Sequence, residues 1–406
     1  MESADLNTKT ATSFSCKLAI SWLTMFVVGS DLFVVSPLLP LIAADYAIPL
    51  ASAGLSMTIF SVSYMLSAPF LGRLADKIGR GRMLRYCLCV FGVANLLTAV
   101  AGNLDWLLAA RCLAGAAAAG VSPSVYALIG TAARPDRRAT WLAVAVSGLL
   151  MSLSMGAPIG LMTAASLGWH AVFAWLGLCG LVLAWANNRA WRHADGAGNP
   201  LAASSRLAPA AVCVRLAPTV VWSTAVYTLY IYLGDGLTSF GYSTEEIAEI
   251  ILFYGCGAIS GALIGGRLAD RFGARLTGAL ALGGLGLCVL LLRLALDCSV
   301  LVDCCFALSS FVAQLFFPAQ QIKLANDFPA SRATILAWNN SALFLGISLG
   351  SLVGGQALSL GGFDANLMVS ATIAGFGWIV HQRDSWAQAA AVFTQPPRPS
   401  EMQGAR

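Results

Sequence analysis

The chain has 406 residues, of which 58% are apolar and 11% charged, and its mean hydropathy is +0.75. A soluble domain carries about 25% charged residues, so this chain cannot cover a water-facing surface and most of it must face lipid. The formal charge of +5 does not point to a nucleic-acid partner, because of where the basic residues fall.

Apolar runs of about 20 residues, the length that crosses a bilayer core, number twelve. They lie near 18–42, 51–71, 83–102, 105–132, 139–165, 168–186, 217–236, 246–266, 275–296, 299–322, 333–360 and 363–381. Residues 1–17 form a polar tail without a signal-peptide core. Residues 187–216, with Asp195-Gly196-Ala197-Gly198-Asn199-Pro200, form a linker between six spans (18–186) and six more (217–381). Residues 382–406 form a second tail, expected to be disordered after 386. Of the 24 Lys and Arg, 22 lie in the tails, in even-to-odd loops or, as Arg85 and Arg275 do, in the first turn of the span that follows such a loop, and the odd-to-even loops hold none. The remaining two, Arg111 and Arg293, lie within spans away from those loops. By the positive-inside rule both termini are cytoplasmic, and the chain is expected in the cell (inner) membrane of its host. The cysteines sit mostly in spans with no CxxC pair, which suits packing and not a metal site.

The two sets of six spans repeat each other. Gly72-Arg73-Leu74-Ala75-Asp76-Lys77-Ile78-Gly79-Arg80 returns 194 residues later as Gly266-Arg267-Leu268-Ala269-Asp270-Arg271-Phe272-Gly273-Ala274, with six of nine positions identical. The same offset carries Pro135 to Pro329, Gly156 to Gly350 and Gly160 to Gly354. Duplicated halves in so apolar a chain are how many transporters are built. The expected fold is an all-α membrane protein: twelve transmembrane helices in two pseudo-symmetric six-helix bundles.

The turn at 72–84 resembles the signature between spans 2 and 3 of the major facilitator superfamily, and 266–275 sits where that superfamily repeats it. The stretch from Asp31 to Leu74, with Ser36-Pro37-Leu38-Leu39-Pro40, is similar to the twelve-span drug:proton antiporters of that superfamily. Arg111-Cys112-Leu113-Ala114-Gly115 resembles their span 4 motif, with Ala114 in place of the usual Gln. Gly148, Gly156, Pro158 and Gly160 of span 5 resemble the glycine-proline antiporter motif, with Ala157 before the proline. The resemblance implies alternating access and a latch on the cytoplasmic side built from Gly72, Asp76, Gly79, Arg80, Asp136 and Asp270. Asp76 would meet the dipole of span 11 at Pro329, Ser331 and Arg332, Asp270 that of span 5, and Arg80 would bridge to Asp136. The alternative is that the turn only holds topology.

Charge inside a membrane is rare and marks function by default. Asp31 lies about 20 Å into span 1 from the side of the termini, and Arg111 about 9 Å into span 4 from the other. In a core of about 30 Å they are nearly level. Burial favours a neutral carboxyl and a neighbouring guanidinium favours a charged one. Asp31, balanced by Arg111, is therefore the candidate proton site, against the reading of a permanent pair. Arg293 and Asp303 flank the span 9–10 turn and are expected to pair structurally. For the substrate cavity the candidates are Tyr64, Tyr126, Tyr227, Tyr230, Gln314, Trp338, Asn339 and Asn340. The glycine-rich spans suit either static packing or sliding faces.

The expected function is proton-coupled efflux of small lipophilic or drug-like compounds. The alternatives are export or uptake of a specific metabolite, such as a sugar or aromatic acid, and, remotely, a non-transporting sensor. No nucleophile–base or metal-ligand set suggests an enzyme. No cofactor is expected beyond the coupling protons, and the chain is expected to act as a monomer in the lipid bilayer.

Overall fold

The computed structural model describes residues 2–133, 138–192, 209–296, 299–329 and 332–394. Every described regular element is helical. The first six are α1 (Glu2–Asp45), α2 (Leu50–Ile78), α3 (Arg80–Ala99), α4 (Leu104–Ala132), α5 and α6 (Trp169–Ala190). Helix α5 comprises Arg138–Met151, a π-turn at Ser152–Gly156, and Ala157–Leu167. The second six are α7 (Pro209–Ile231, continued by Leu233–Ser239), α8 (Thr244–Phe272), α9 (Ala274–Ala295), α10 (Ser299–Gln314 with Phe316–Asp327), and then α11 and α12. The last two share the helical run Arg332–Thr394, broken at Gly361 and Gly362.

By length and composition eleven described helices can cross a membrane, the last being Thr334–Gln382 with 49 residues. At 1.5 Å per residue that run would measure about 70 Å, over twice a bilayer core. The break resolves the mismatch. Gly362 adopts φ +65°, a conformation that suits glycine, and the chain folds back so that Asn366 Nδ2 donates to Gly354 O (3.2 Å). The crossings are therefore twelve. Helix α12 continues to Thr394, so the backbone of 386–394 is helical where a disordered tail was expected. Helix α1 likewise begins at Glu2, inside the expected polar tail.

The tight connections follow local chemistry. Gly79 (φ 95°) and Gly273 (φ 86°) turn the chain between α2 and α3 and between α8 and α9, at matching places in the repeat. Asn103 caps α4 by accepting from Trp106 N (2.9 Å). Ser243 and Glu246 form a capping box at the start of α8, which satisfies two otherwise orphaned donors.

Within the first half α1 packs on α5, α2 on α4, and α3 on α4 and α6; within the second α7 packs on α11, α8 on α10, and α9 on α10 and α12. The halves meet through α2 with α11, α5 with α8, and α1 with the end of α7. The distal side of the protein is the face opposite the one where α1 begins.

Candidate functional site: a buried ion pair in the first half

Asp31 sits in the middle of α1, and Arg111 two turns into α4. Arg111 Nη1 donates to Asp31 Oδ1 at 2.6 Å, and both side chains are 0% exposed. Arg111 Nη2 reaches the Asp31 carbonyl at 3.5 Å. The guanidinium carbon lies 4.6 Å from the centre of the Phe60 ring and 5.3 Å from that of Phe173. Aromatic faces hold a desolvated cation in this way. Each partner keeps one unused polar atom: Asp31 Oδ2 and Arg111 Nε have no protein hydrogen bond. A carboxylate bound through one oxygen can take a proton on the other. Among the described residues Asp31 is the one acidic side chain that is wholly buried.

The glycines of α5 define the wall behind Asp31. A Cβ at Gly148 would collide with the Trp22 carbonyl, one at Gly156 with Ser30 Oγ, and one at Gly160 with the Val34 side chain. In return a Cβ at Gly29 would strike Ser152 Oγ. Helix α5 thus lies flush on the face of α1 beside Asp31. Pro158 stands at the start of the segment after the π-turn; lacking an N–H, it leaves Ser154 O without its ladder donor, and the backbone widens there. The second half repeats the packing without the charge. Gly350 lies against the Thr224 carbonyl (2.9 Å for a built Cβ), the counterpart of Gly156 on Ser30 at the 194 offset. That offset carries Asp31 to Ala225, which is buried.

The aromatic candidates divide. Tyr64 stacks on Phe344 of α11 across the halves (3.6 Å between centroids, 15° between planes), and Tyr126 adjoins it. Tyr227 and Tyr230 pack at 6.2 Å, and Tyr230 lies 5.3 Å from Tyr254. Tyr230 also donates to Phe33 O (3.0 Å), crossing the halves. Asn339 is buried between α7 and α11, where its Oδ1 accepts from Thr219 Oγ1 (2.6 Å). Asn340 and Gln314 are half-buried, and Trp338 is 41% exposed. Sequence reasoning did not single out Phe60, Phe173, Phe344 or Tyr254. Phe60 was within reach of it: it precedes Tyr64 by one helical turn on the same face.

In the turn after α2, Asp76 hydrogen-bonds with Arg80, four residues on. Gly79 needs its positive φ, whereas nothing approaches Gly72 within 4 Å of a built Cβ. Asp270 is exposed. Asp136 and Ser331 lie outside the described residues, as do the contacts expected of Arg80, Asp76 and Asp270 with those segments. The Arg293–Asp303 pairing is corrected. Arg293 Nε bonds Asp364 Oδ1 at 3.1 Å, with both side chains about half exposed, while Asp303 has Glu249 and Glu246 as its charged neighbours. The reason is that α9 packs on the start of α12 after the Gly362 turn. Among the described residues no three His, Cys, Asp or Glu side chains cluster as a metal site would need.

The family model of the Major Facilitator Superfamily matches residues 21–351 and again 207–403. The chain belongs to the major facilitator superfamily. It is 29% identical over 346 residues to the "Uncharacterized MFS-type transporter YbcL" of Bacillus subtilis, covering 84% of this chain and 88% of that protein. It is 27% identical over 377 residues to the "3-(3-hydroxy-phenyl)propionate transporter" of Escherichia coli K12, covering 88% and 91%. Among solved structures it is similar to a bacterial homolog of the human lysosomal transporter Spinster in an inward-facing, occupied conformation. There the TM-score is 0.75 at 16% identity, with 91% of this chain and 96% of that one covered, a likeness of fold. This superfamily member is thus a multi-pass membrane transporter of small molecules and not an enzyme.

Proposed function

We propose that the protein is a proton-coupled exporter of small lipophilic compounds, working by alternating access with both termini in the cytoplasm. The observation that carries this reading is the wholly buried Asp31–Arg111 pair with Asp31 Oδ2 free. A charged pair at mid-membrane is costly and serves a transporter when protonation of the carboxyl alternates with substrate. On this reading Asp31 loads and releases the proton, Arg111 returns the carboxylate to its charged form, and α5, flush on α1, transmits the change. Asp76 and Arg80 act at the cytoplasmic edge to set the conformational balance, with Asp270 as the counterpart of Asp76. Tyr64, Tyr126 and Phe344 line the substrate route between the halves.

The test uses purified protein in liposomes carrying an imposed pH gradient and a panel of lipophilic dyes. Proton-driven accumulation that Asp31→Asn abolishes supports the reading; unchanged accumulation in Asp31→Asn removes Asp31 from it. A second reading, carriage of an aromatic acid, is favoured by the likeness to the Escherichia coli hydroxyphenylpropionate transporter and by the aromatic ring pairs between the halves. Labelled 3-(3-hydroxyphenyl)propionate in the same vesicles separates the two: saturable movement of the acid without dye movement selects the second.

A further inference from the structure

We propose that Tyr230 and Ser36 close the distal side, each donating from its own half to a backbone carbonyl at an irregular point in the other half's helix. Pro37 in α1 has no N–H, so the carbonyl four residues earlier, Phe33 O, loses its helical partner. The Tyr230 hydroxyl, on α7, fills that vacancy at 3.0 Å. The long segment of α7 ends at Ile231, and Tyr232 departs from helical geometry (φ −106°, ψ 11°). Tyr230 O therefore lies beside a break in the helix, where the regular ladder is interrupted. The Ser36 hydroxyl of α1 donates to it. The exchange is reciprocal: one accepting carbonyl and one donating hydroxyl on each side of the interface.

The setting makes the exchange costly to lose and simple to reverse. Tyr230 and Ser36 are both 2% exposed, so neither carbonyl can turn to water while the halves touch. An unmet buried acceptor is penalised more heavily than an ordinary hydrogen bond is rewarded. When the halves part on this side, water can solvate both carbonyls. The Phe33 ring meets the Tyr230 ring edge-on (6.0 Å between centroids), and Gly234 lets α7 approach the Pro37 backbone. A second contact, Ser351 Oγ to Gly54 O (2.8 Å), joins α11 to α2 on the same side. Phe33 is two residues from Asp31, so the capped carbonyl lies on the next part of the helix that bears the buried carboxylate. Tyr230 and Ser36 are positioning residues: they set how readily the distal side opens. The inference stands whether or not protons drive transport.

The experiment is hydrogen exchange with mass spectrometry on the full chain in lipid nanodiscs, comparing wild type, Tyr230→Phe and Ser36→Ala. Loss of one neutral hydrogen bond, about 1 kcal/mol, corresponds to about a fivefold shift in the opening equilibrium. Exchange should rise about fivefold at the distal ends of α1 and α7. It should rise in concert at the distal ends of α2 and α11, which neither hydroxyl touches. Ser36→Thr, which keeps a hydroxyl, should restore the wild-type pattern. Pro37→Ala returns an N–H to Phe33 O, and in that background Tyr230→Phe should have a smaller effect. Tyr242→Phe removes a hydroxyl bound to Leu296 O inside the second half (2.9 Å) and should leave the distal ends of α1 and α2 unchanged. A folded Tyr230→Phe protein with unaltered exchange overturns the proposal, as does a rise confined to α7. If Tyr230→Phe does not fold, Ser36→Ala decides on the same criteria.

Discussion

Replacing Arg111 with Gln should damage the protein in a manner that a second replacement repairs. In the wild type the guanidinium meets Asp31 at 2.6 Å with neither side chain exposed. Removing one member of such a pair strands the other charge, at a cost of about 3–5 kcal/mol. Loss of the stacking on Phe60 and Phe173 adds about 1 kcal/mol. The stranded carboxyl can limit the damage by holding a proton, since burial alone favours its neutral form. The folded variant then binds one more proton than the unfolded chain, so its stability falls as pH rises, by up to about 1.4 kcal/mol per pH unit. The double replacement Asp31→Asn with Arg111→Gln strands no charge and should recover most of the loss. The coupling energy of the cycle should be about 3 kcal/mol. Unfolding by sodium dodecyl sulfate, followed by tryptophan fluorescence across pH, measures all four corners. Transport on the same proteins should fail at neutral pH in Arg111→Gln and partly return at alkaline pH, where the carboxyl can release its proton. Additive single losses, or an Arg111→Gln protein with wild-type pH dependence in both stability and transport, would refute the reasoning.

Gly156→Val drives a side chain into Ser30 of α1; it should destabilise by about 1–3 kcal/mol and lower transport, while Ser30→Ala in the same protein recovers part of both in vesicle assays. Asp76→Asn breaks a partly exposed contact with Arg80, so unfolding should shift by less than about 1 kcal/mol, and ligand binding should persist while turnover slows in stopped-flow transport. Arg293→Gln with Asp364→Asn removes a half-exposed pair; stability should change by less than about 1 kcal/mol and the pH profile of transport not at all. Phe344→Ala removes the ring stacked on Tyr64 and should shift the range of dyes carried more than the proton dependence.

The crossings were legible because hydropathy and the placement of Lys and Arg are one-dimensional signals, and the meeting of Asp31 with Arg111 was legible because depth along a helix follows from residue count. Contacts that depend on which helices are neighbours were not. Arg293 was paired with Asp303 because the two flank one turn, yet the fold places Asp364 beside it. The Tyr64–Phe344 stack joins residues 280 positions apart in the sequence, and no periodicity within either helix announces it. Asp235, at the end of α7, is an acidic residue at the edge of a span that the reading of intramembrane charge passed over. The proline at position 37 was visible from the start; that its freed carbonyl is met from the opposite half required the packing of α7 on α1.

If transport is coupled through Asp31, as proposed, the one wholly buried acid among the described residues, replaced by Ala225 in the other half, would cap the work obtainable per turnover. A carrier that loads one carboxylate per cycle draws on one proton's worth of electrochemical potential. Each unit of pH difference supplies about 1.4 kcal/mol, and 100 mV of membrane voltage about 2.3 kcal/mol per charge moved. Exchange for a neutral solute is electrogenic and uses both, so one pH unit and 100 mV together sustain a concentration ratio of about 500. Exchange for a monovalent cation is electroneutral and uses the pH difference alone, sustaining a ratio of about ten. The charge carried by the solute would thus decide how steep a gradient this transporter can hold, and a voltage clamp across its vesicles would read that charge directly.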